Sequence, residues 1–179
     1  MLYLFGFEKV GVVVGDLYFV DPDPAEGQEG AERGVRLEVR MVDRGAPPGS
    51  VYSALPIGVE RPIWRADLLE SVDGEPGSHD RTHHHPTFRG WEPGRRRFDE
   101  LVGQEPVAWV GEQLADLDAL VERSEIDASE IDPDDARQLR AAVPEILTVV
   151  RGLLERVRAG ELGAASDGSA ELGARNGWL

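Results

Sequence analysis

Four histidines, His79, His83, His84 and His85, fall in one short stretch with Asp80 and Arg81 between them and Pro86 at its end. Imidazole exchanges protons near neutral pH and, when neutral, ligates metals, so this cluster suits acid–base catalysis or metal binding. Pro86 favours extended backbone at His85. An extended 83–85 run places His83 and His85 on one face and His84 on the other. A zinc or iron site on that two-histidine face needs a further ligand, for which His79, Asp80, Asp67 and Glu92 are the candidates. A polar surface loop with ordinary hydrogen bonds is the bland alternative, and it stays open.

Two other groups could join the histidines. Arg61 to Asp67 has the composition of a strand, with Arg61, Ile63, Arg65 and Asp67 on one face and Pro62, Trp64 and Ala66 on the other. Trp64 then belongs to the core, and Arg65 with Asp67 forms a same-face ion pair or lines a site. Arg81, Arg89, Arg95, Arg96 and Arg97, interleaved with Phe88, Trp91 and Phe98, make the histidine segment locally basic. Guanidinium forks bind phosphate oxygens and aromatic faces stack on bases, but pairing with the many acids of the expected helical hairpin explains these arginines equally well.

The elements that must hold these residues are expected to form an α+β fold, an antiparallel β-sheet or partial barrel followed by a C-terminal helical hairpin. Short strands are expected at 2–7, 10–14 and 17–20, and 21–34 as an exposed loop. Val35, Leu37, Val39 and Met41 alternate with Arg36, Glu38, Arg40 and Val42, the period of a strand with one face on a core. Pro47, Pro48 and Gly49 turn the chain, and β character returns over 51–59 and 62–69. These segments make a β-rich domain over 1–100, with the His/Arg loop at 72–98.

Over 106–159 an acidic helical hairpin is expected. Val107, Val110, Leu114, Leu117 and Val121 form one apolar stripe, and Leu139, Val143, Ile146, Val150, Leu153 and Val157 another. Asp132 and Pro133 suit the N-cap and first position of the second helix. Pro144 inside it predicts a kink or break near Ala141. The tail over 160–179 is rich in Gly, Ala, Ser and acids, a composition that favours disorder.

Composition narrows the function classes. The formal net charge is −15 over 179 residues, which opposes general binding to nucleic acid or anionic membranes. There is no cysteine, so disulfides and thiolate metal sites are excluded. Glu8, Lys9 and Asp16 interrupt the apolar start, and nothing approaches the roughly 20 apolar residues of a membrane span. A cytoplasmic location is expected, with no membrane partner.

The strand Val35 to Met41, the Tyr52 segment, Arg65-x-Asp67 and the run His83 to Phe88 follow one another in the order found in TumE-like β-domain toxins, which this region, 35–91, resembles. The family pattern carries a further histidine group where this chain has Arg89, Gly90 and Trp91. The block 61–71 followed by 83–94 is also similar to uncharacterised actinobacterial proteins, which implies no function.

The toxin resemblance implies cleavage of RNA. His83 and His85 would be the acid and base, Arg65 and Arg81 would stabilise phosphorane charge, and Asp67 would orient a histidine. No cofactor is expected on that reading. A metal-dependent enzyme using the His79–His85 cluster, with a divalent ion, is one alternative. The other is an interaction module that engages a protein partner, or a second copy of itself, through the acidic hairpin.

Overall fold

The computed structural model describes residues 1–98, 104–165 and 175–177. Its strands are β1 (Leu2–Gly6), β2 (Val10–Val20), β3 (Ala31–Arg44), β4 (Ile57–Ser71), β5 (His83–His85), β6 (Phe88–Arg89), β7 (Glu92–Pro93) and β8 (Arg175–Gly177). Strands β1 to β5 lie side by side in chain order, all antiparallel. Strand β8 extends the sheet by pairing with Leu17 to Phe19 of β2, past the last partner of β1.

The β-branched and aromatic run of β2 is one continuous strand rather than two, because β3 pairs with it along its whole length. Strand β3 begins at Ala31, inside the segment expected to be loop, and β4 begins only at Ile57. Gly34 lets these two strands meet. A Cβ there would lie 2.1 Å from the Leu68 carbonyl oxygen.

Helices α1 (Pro106–Leu114), α2 (Leu117–Glu122) and α3 (Asp135–Arg158), with a 3₁₀ turn at Ala128–Glu130, follow the sheet. The first expected helix is thus two. Asp116 caps the second by accepting from the Ala119 amide at 3.1 Å, yet Val110, Leu114, Leu117 and Val121 stay buried across the break. Asp132 lies before α3, where it accepts from the Asp134 amide at 2.9 Å; the helix itself starts at Asp135.

Pro144 does not break α3, which runs without interruption from Asp135 to Arg158. Leu139, Ile146, Val150 and Leu153 are buried on either side of it. Each such side chain contributes about 1.5–3 kcal/mol, which outweighs the roughly 3 kcal/mol a helical proline costs. At the C-terminal end, the strand pairing of 175–177 differs from the expected disorder; 166–174 and 178–179 lie outside the described residues.

Alternation gives the sheet two unlike faces. Val12, Val14, Val35, Leu37, Val39, Trp64, Ala66 and Leu68 form one cluster with Trp109, Leu114, Leu139, Ile146 and Val150 of the helices. The helices therefore pack on their own sheet. Asp135, fully buried, fixes α3 to the β1–β2 turn by accepting from the amides of Glu8 at 2.9 Å and Lys9 at 3.2 Å, and from that of Asp132 at 3.0 Å.

Candidate metal centre

The opposite face carries charge. Strand register sets Gly15, Arg36, Asp67 and His83 in one row across β2 to β5, and Val13, Glu38, Arg65 and His85 in the next. The extended 83–85 run does what its spacing predicts. His83 and His85 turn to this face, while His84 turns to the helices, its ring 4.9 Å from that of Trp109 and 6.4 Å from that of Trp64.

Asp67, His83 and His85 converge, and all three are buried. His83 Nε2 lies 3.3 Å and His85 Nε2 3.6 Å from the same oxygen, Asp67 Oδ2. On the far side of each ring, His83 Nδ1 is 2.8 Å from the Arg81 carbonyl and His85 Nδ1 is 2.8 Å from the Gly94 carbonyl. A carbonyl can only accept, so Nδ1 carries the proton in both rings. Gly94 is placed for this by its own amide, which donates to the Thr87 carbonyl at 2.8 Å; a Cβ there would lie 2.4 Å from Thr87 Oγ1.

Arg36 completes the frame. Its Nε donates to Asp67 Oδ1 at 2.6 Å and its Nη2 to Oδ2 at 3.1 Å. Burial works to raise the Asp67 carboxyl, but the Arg36 guanidinium, joined by the two histidines when their rings are charged, outweighs it and holds the group well below the usual carboxylate range. Asp67 is therefore ionised. Two imidazole nitrogens, each without a proton when its ring is neutral, face a carboxylate oxygen, and that arrangement repels itself unless a positive charge sits among them.

A proton on each ring or one cation supplies that charge. Asp67, His83 and His85 could hold a metal ion, since their ligand atoms all lie within 4.8 Å of one another. Ligands bonded at about 2.1 Å in a tetrahedron stand about 3.4 Å apart. The separations of 3.3 and 3.6 Å are of that size, and 3.6 Å is too long for a hydrogen bond. No protein-family model, curated protein or solved structure matches this chain. The site rests on its own geometry.

The other candidate residues go elsewhere. His79 is half-buried at φ 52°, where its Nε2 accepts from Arg158 Nη2 at 2.9 Å; burial, then the Arg158 charge, lower its pKa. Asp80 accepts from the Ser71 amide at 2.9 Å and Ser78 Oγ at 2.8 Å. Neither His79 nor Asp80 belongs to the converging group. Arg81 also points away, donating to the Gly27 carbonyl at 2.8 Å and lying 3.6 Å from Asp80.

Arg65 stays at the site without pairing with Asp67. Its Nε donates to Glu38 at 2.7 Å, and its guanidinium lies 5.2 Å over the Phe88 ring. The basic segment does not pair with helical acids among the described residues: Arg96 reaches Asp21 at 2.5 Å instead.

A cavity of about 380 Å³ opens on the three converging residues, walled by Glu32, Arg36, Arg65, Trp91 and Arg96 among others. Glu32 is buried, and among the described residues its Oε2 has no hydrogen-bond partner. Desolvation raises its pKa against the opposing pull of Arg96, His83 and Arg81. Sequence reasoning missed Glu32 and Arg36 as site residues. Arg36 had a visible signal, a charge alternating inside the best strand, but its partner depends on cross-strand register; Glu32 lay in the stretch assigned to loop.

Proposed function

We propose that the protein is a metal-dependent enzyme whose divalent ion is held by His83 Nε2, His85 Nε2 and Asp67 Oδ2. The observation that carries this is the pair of Nδ1-protonated histidines turned toward one ionised carboxylate oxygen at ligand-to-ligand spacing. Backbone carbonyls behind both rings, and Arg36 behind the carboxylate, are the outer hydrogen bonds that orient metal ligands. Three protein ligands leave coordination open toward the cavity, as catalytic rather than structural ions require. Two imidazoles and one carboxylate suit zinc or ferrous iron.

This reading is favoured over histidine acid–base cleavage of RNA by the use of the candidate residues. An acid and a base should stand on opposite sides of the reacting phosphate, whereas His83 and His85 share one carboxylate and Arg81 is bound to loop carbonyls. An interaction module working through the apolar stripes has less support still, because those stripes are buried on the sheet.

The test is elemental analysis of protein purified without a nickel column, followed by calorimetric titration with Zn²⁺, Fe²⁺, Co²⁺ and Mn²⁺. The expected result is one equivalent of one of these ions for the wild type, and at least a hundredfold weaker binding when His83 and His85 are both changed to Ala. Failure of the wild type to bind any of the four stoichiometrically overturns the reading.

A further inference from the structure

Two buried carboxylates belong to the cavity, and their surroundings treat them oppositely. Asp67 is locked into the Arg36 fork and faces the two histidines. Glu32 lies on the same face of β3 as Arg36, one turn of the alternation beyond Gly34, with Phe19 and Ser71 as its register partners on β2 and β4. It walls the same cavity, yet it is outside the group whose ligand atoms converge within 4.8 Å.

Its surroundings leave it uncommitted. Glu38, the next buried acid on that face, receives Arg65 at 2.7 Å and lies 3.6 Å from Arg40, whereas no ion pair within 4.0 Å engages Glu32 among the described residues. Glu92, the remaining acid of the cavity wall, is exposed on β7. A buried carboxylate oxygen with no donor is a cost to the fold that calls for an explanation, and a catalytic role is one such explanation for a group that also walls a cavity.

We propose that Glu32 is the proton acceptor of this centre, taking a proton from a water bound to the ion on Asp67, His83 and His85. This inference rests on the metal-site reading above. In the step, one O–H bond of the water breaks and its electron pair stays on the oxygen, which remains on the ion as hydroxide. The proton forms the O–H bond of the Glu32 carboxyl, and nothing is oxidised or reduced. The charged and titratable groups whose fields reach Glu32 are Arg36 on β3, Asp67 on β4, Arg81 just before β5, His83 on β5 and Arg96 after β7. Burial that makes Glu32 a stronger base, beside a carboxylate kept ionised, is the division that lets two acids take different roles in one cavity.

The experiment is a pH titration of the visible absorption of the protein loaded with Co²⁺, for the wild type, Glu32→Gln and Glu32→Asp. Two spectral steps are expected in the wild type, one from Glu32 and one from the water. Glu32→Gln should lose the lower step, Glu32→Asp should regain it at a displaced pH, and Co²⁺ affinity should change less than threefold in both. A Glu32→Gln titration that superimposes on the wild type overturns the proposal while leaving the metal site standing. A Co²⁺ affinity that falls more than tenfold in Glu32→Gln makes Glu32 a structural support of the site and overturns it as well. Absence of any Co²⁺ binding by the wild type removes the metal reading, and this proposal with it.

Discussion

The two faces of the sheet are built from the same strands, yet they are held together by opposite means. On the helix side, Val35, Leu37 and Val39 meet Trp64 and Ala66, and burial needs no partner beyond shape. On the other side, Arg36, Glu38, Arg65 and Asp67 are removed from water almost as fully, and each must find its counter-charge at a fixed place. The apolar face tolerates imprecision and stabilises; the charged face fixes geometry and is costly to disturb. What covers them differs accordingly. Helices lie on the first, and the short β6–β7 hairpin lies on the second, with Arg40 4.9 Å over the Trp91 ring and Arg65 over Phe88.

The sharpest way to test that contrast is to damage the apolar face alone. Trp64 is 1 % exposed and packs 5.7 Å from the Trp109 ring. Trp64→Ala should destabilise by about 3–5 kcal/mol, the range for truncating a large buried aromatic. Urea unfolding reads this as a lower midpoint at unchanged slope. A loss below about 1 kcal/mol would mean that the helices contribute little to holding the sheet.

Damage to the charged face should cost somewhat less in stability and everything in binding. Asp67→Asn keeps the shape but leaves Arg36 buried without its nearest counter-charge, for a loss of about 3 kcal/mol. The pH dependence has a definite sign. The folded carboxyl is held below its unfolded value of about 3.9, so Asp67 contributes fully above that pH, and the contribution is lost as pH falls through the folded value. The gap between wild type and Asp67→Asn should therefore narrow below about pH 4. A gap that stays constant from pH 7 to pH 3 would show that the Arg36 pair is not what Asp67 supplies.

A third change bears on the seam between helices and sheet. Asp135 collects three backbone amides in a fully buried position. Asp135→Ala leaves those donors unsatisfied, for a loss of about 2 kcal/mol. Hydrogen exchange at Glu8 and Lys9 should accelerate more than exchange at central-strand positions such as Leu37 and Val39. Uniform acceleration would instead make the seam part of the global unfolding unit.

How much of this was legible in the residues follows from the same contrast. The apolar face announces itself, because Val35 to Met41 repeats with the period of the strand and the helical stripes repeat with theirs. His83 and His85 were also placed correctly relative to each other, since that needed only Pro86 and local extension. Asp67 was among the residues named for the site because it shares the sequence neighbourhood of Arg65. Its union with His83 is a matter of β4–β5 register, and its grip by Arg36 a matter of β3–β4 register, and neither is encoded locally. Pro144 misled for a related reason: the local rule was sound, but tertiary burial of Leu139, Ile146, Val150 and Leu153 outweighed it.

Glu32 gives the smallest effect and the one of opposite sign. The other buried acids of this face, Glu38 and Asp67, are each tied to an arginine, so removing their charge should weaken the fold; Glu32 is not so tied, so removing its charge should help. Its folded pKa is raised, chiefly by desolvation, above the unfolded value of about 4.3. The folded state therefore prefers the protonated form. Below about pH 4.3 both states are protonated and the group costs nothing; as pH rises through the folded value, ionisation in the unfolded chain draws stability away. Glu32→Gln, which stays neutral, should match the wild type at pH 4 and exceed it at pH 8, by less than the other three variants lose. Chemical denaturation at the two pH values measures the difference. A Glu32→Gln protein that is less stable than wild type at pH 8 would show that the carboxylate has a favourable partner after all, and the division between a fully paired charged face and one uncommitted acid would not hold.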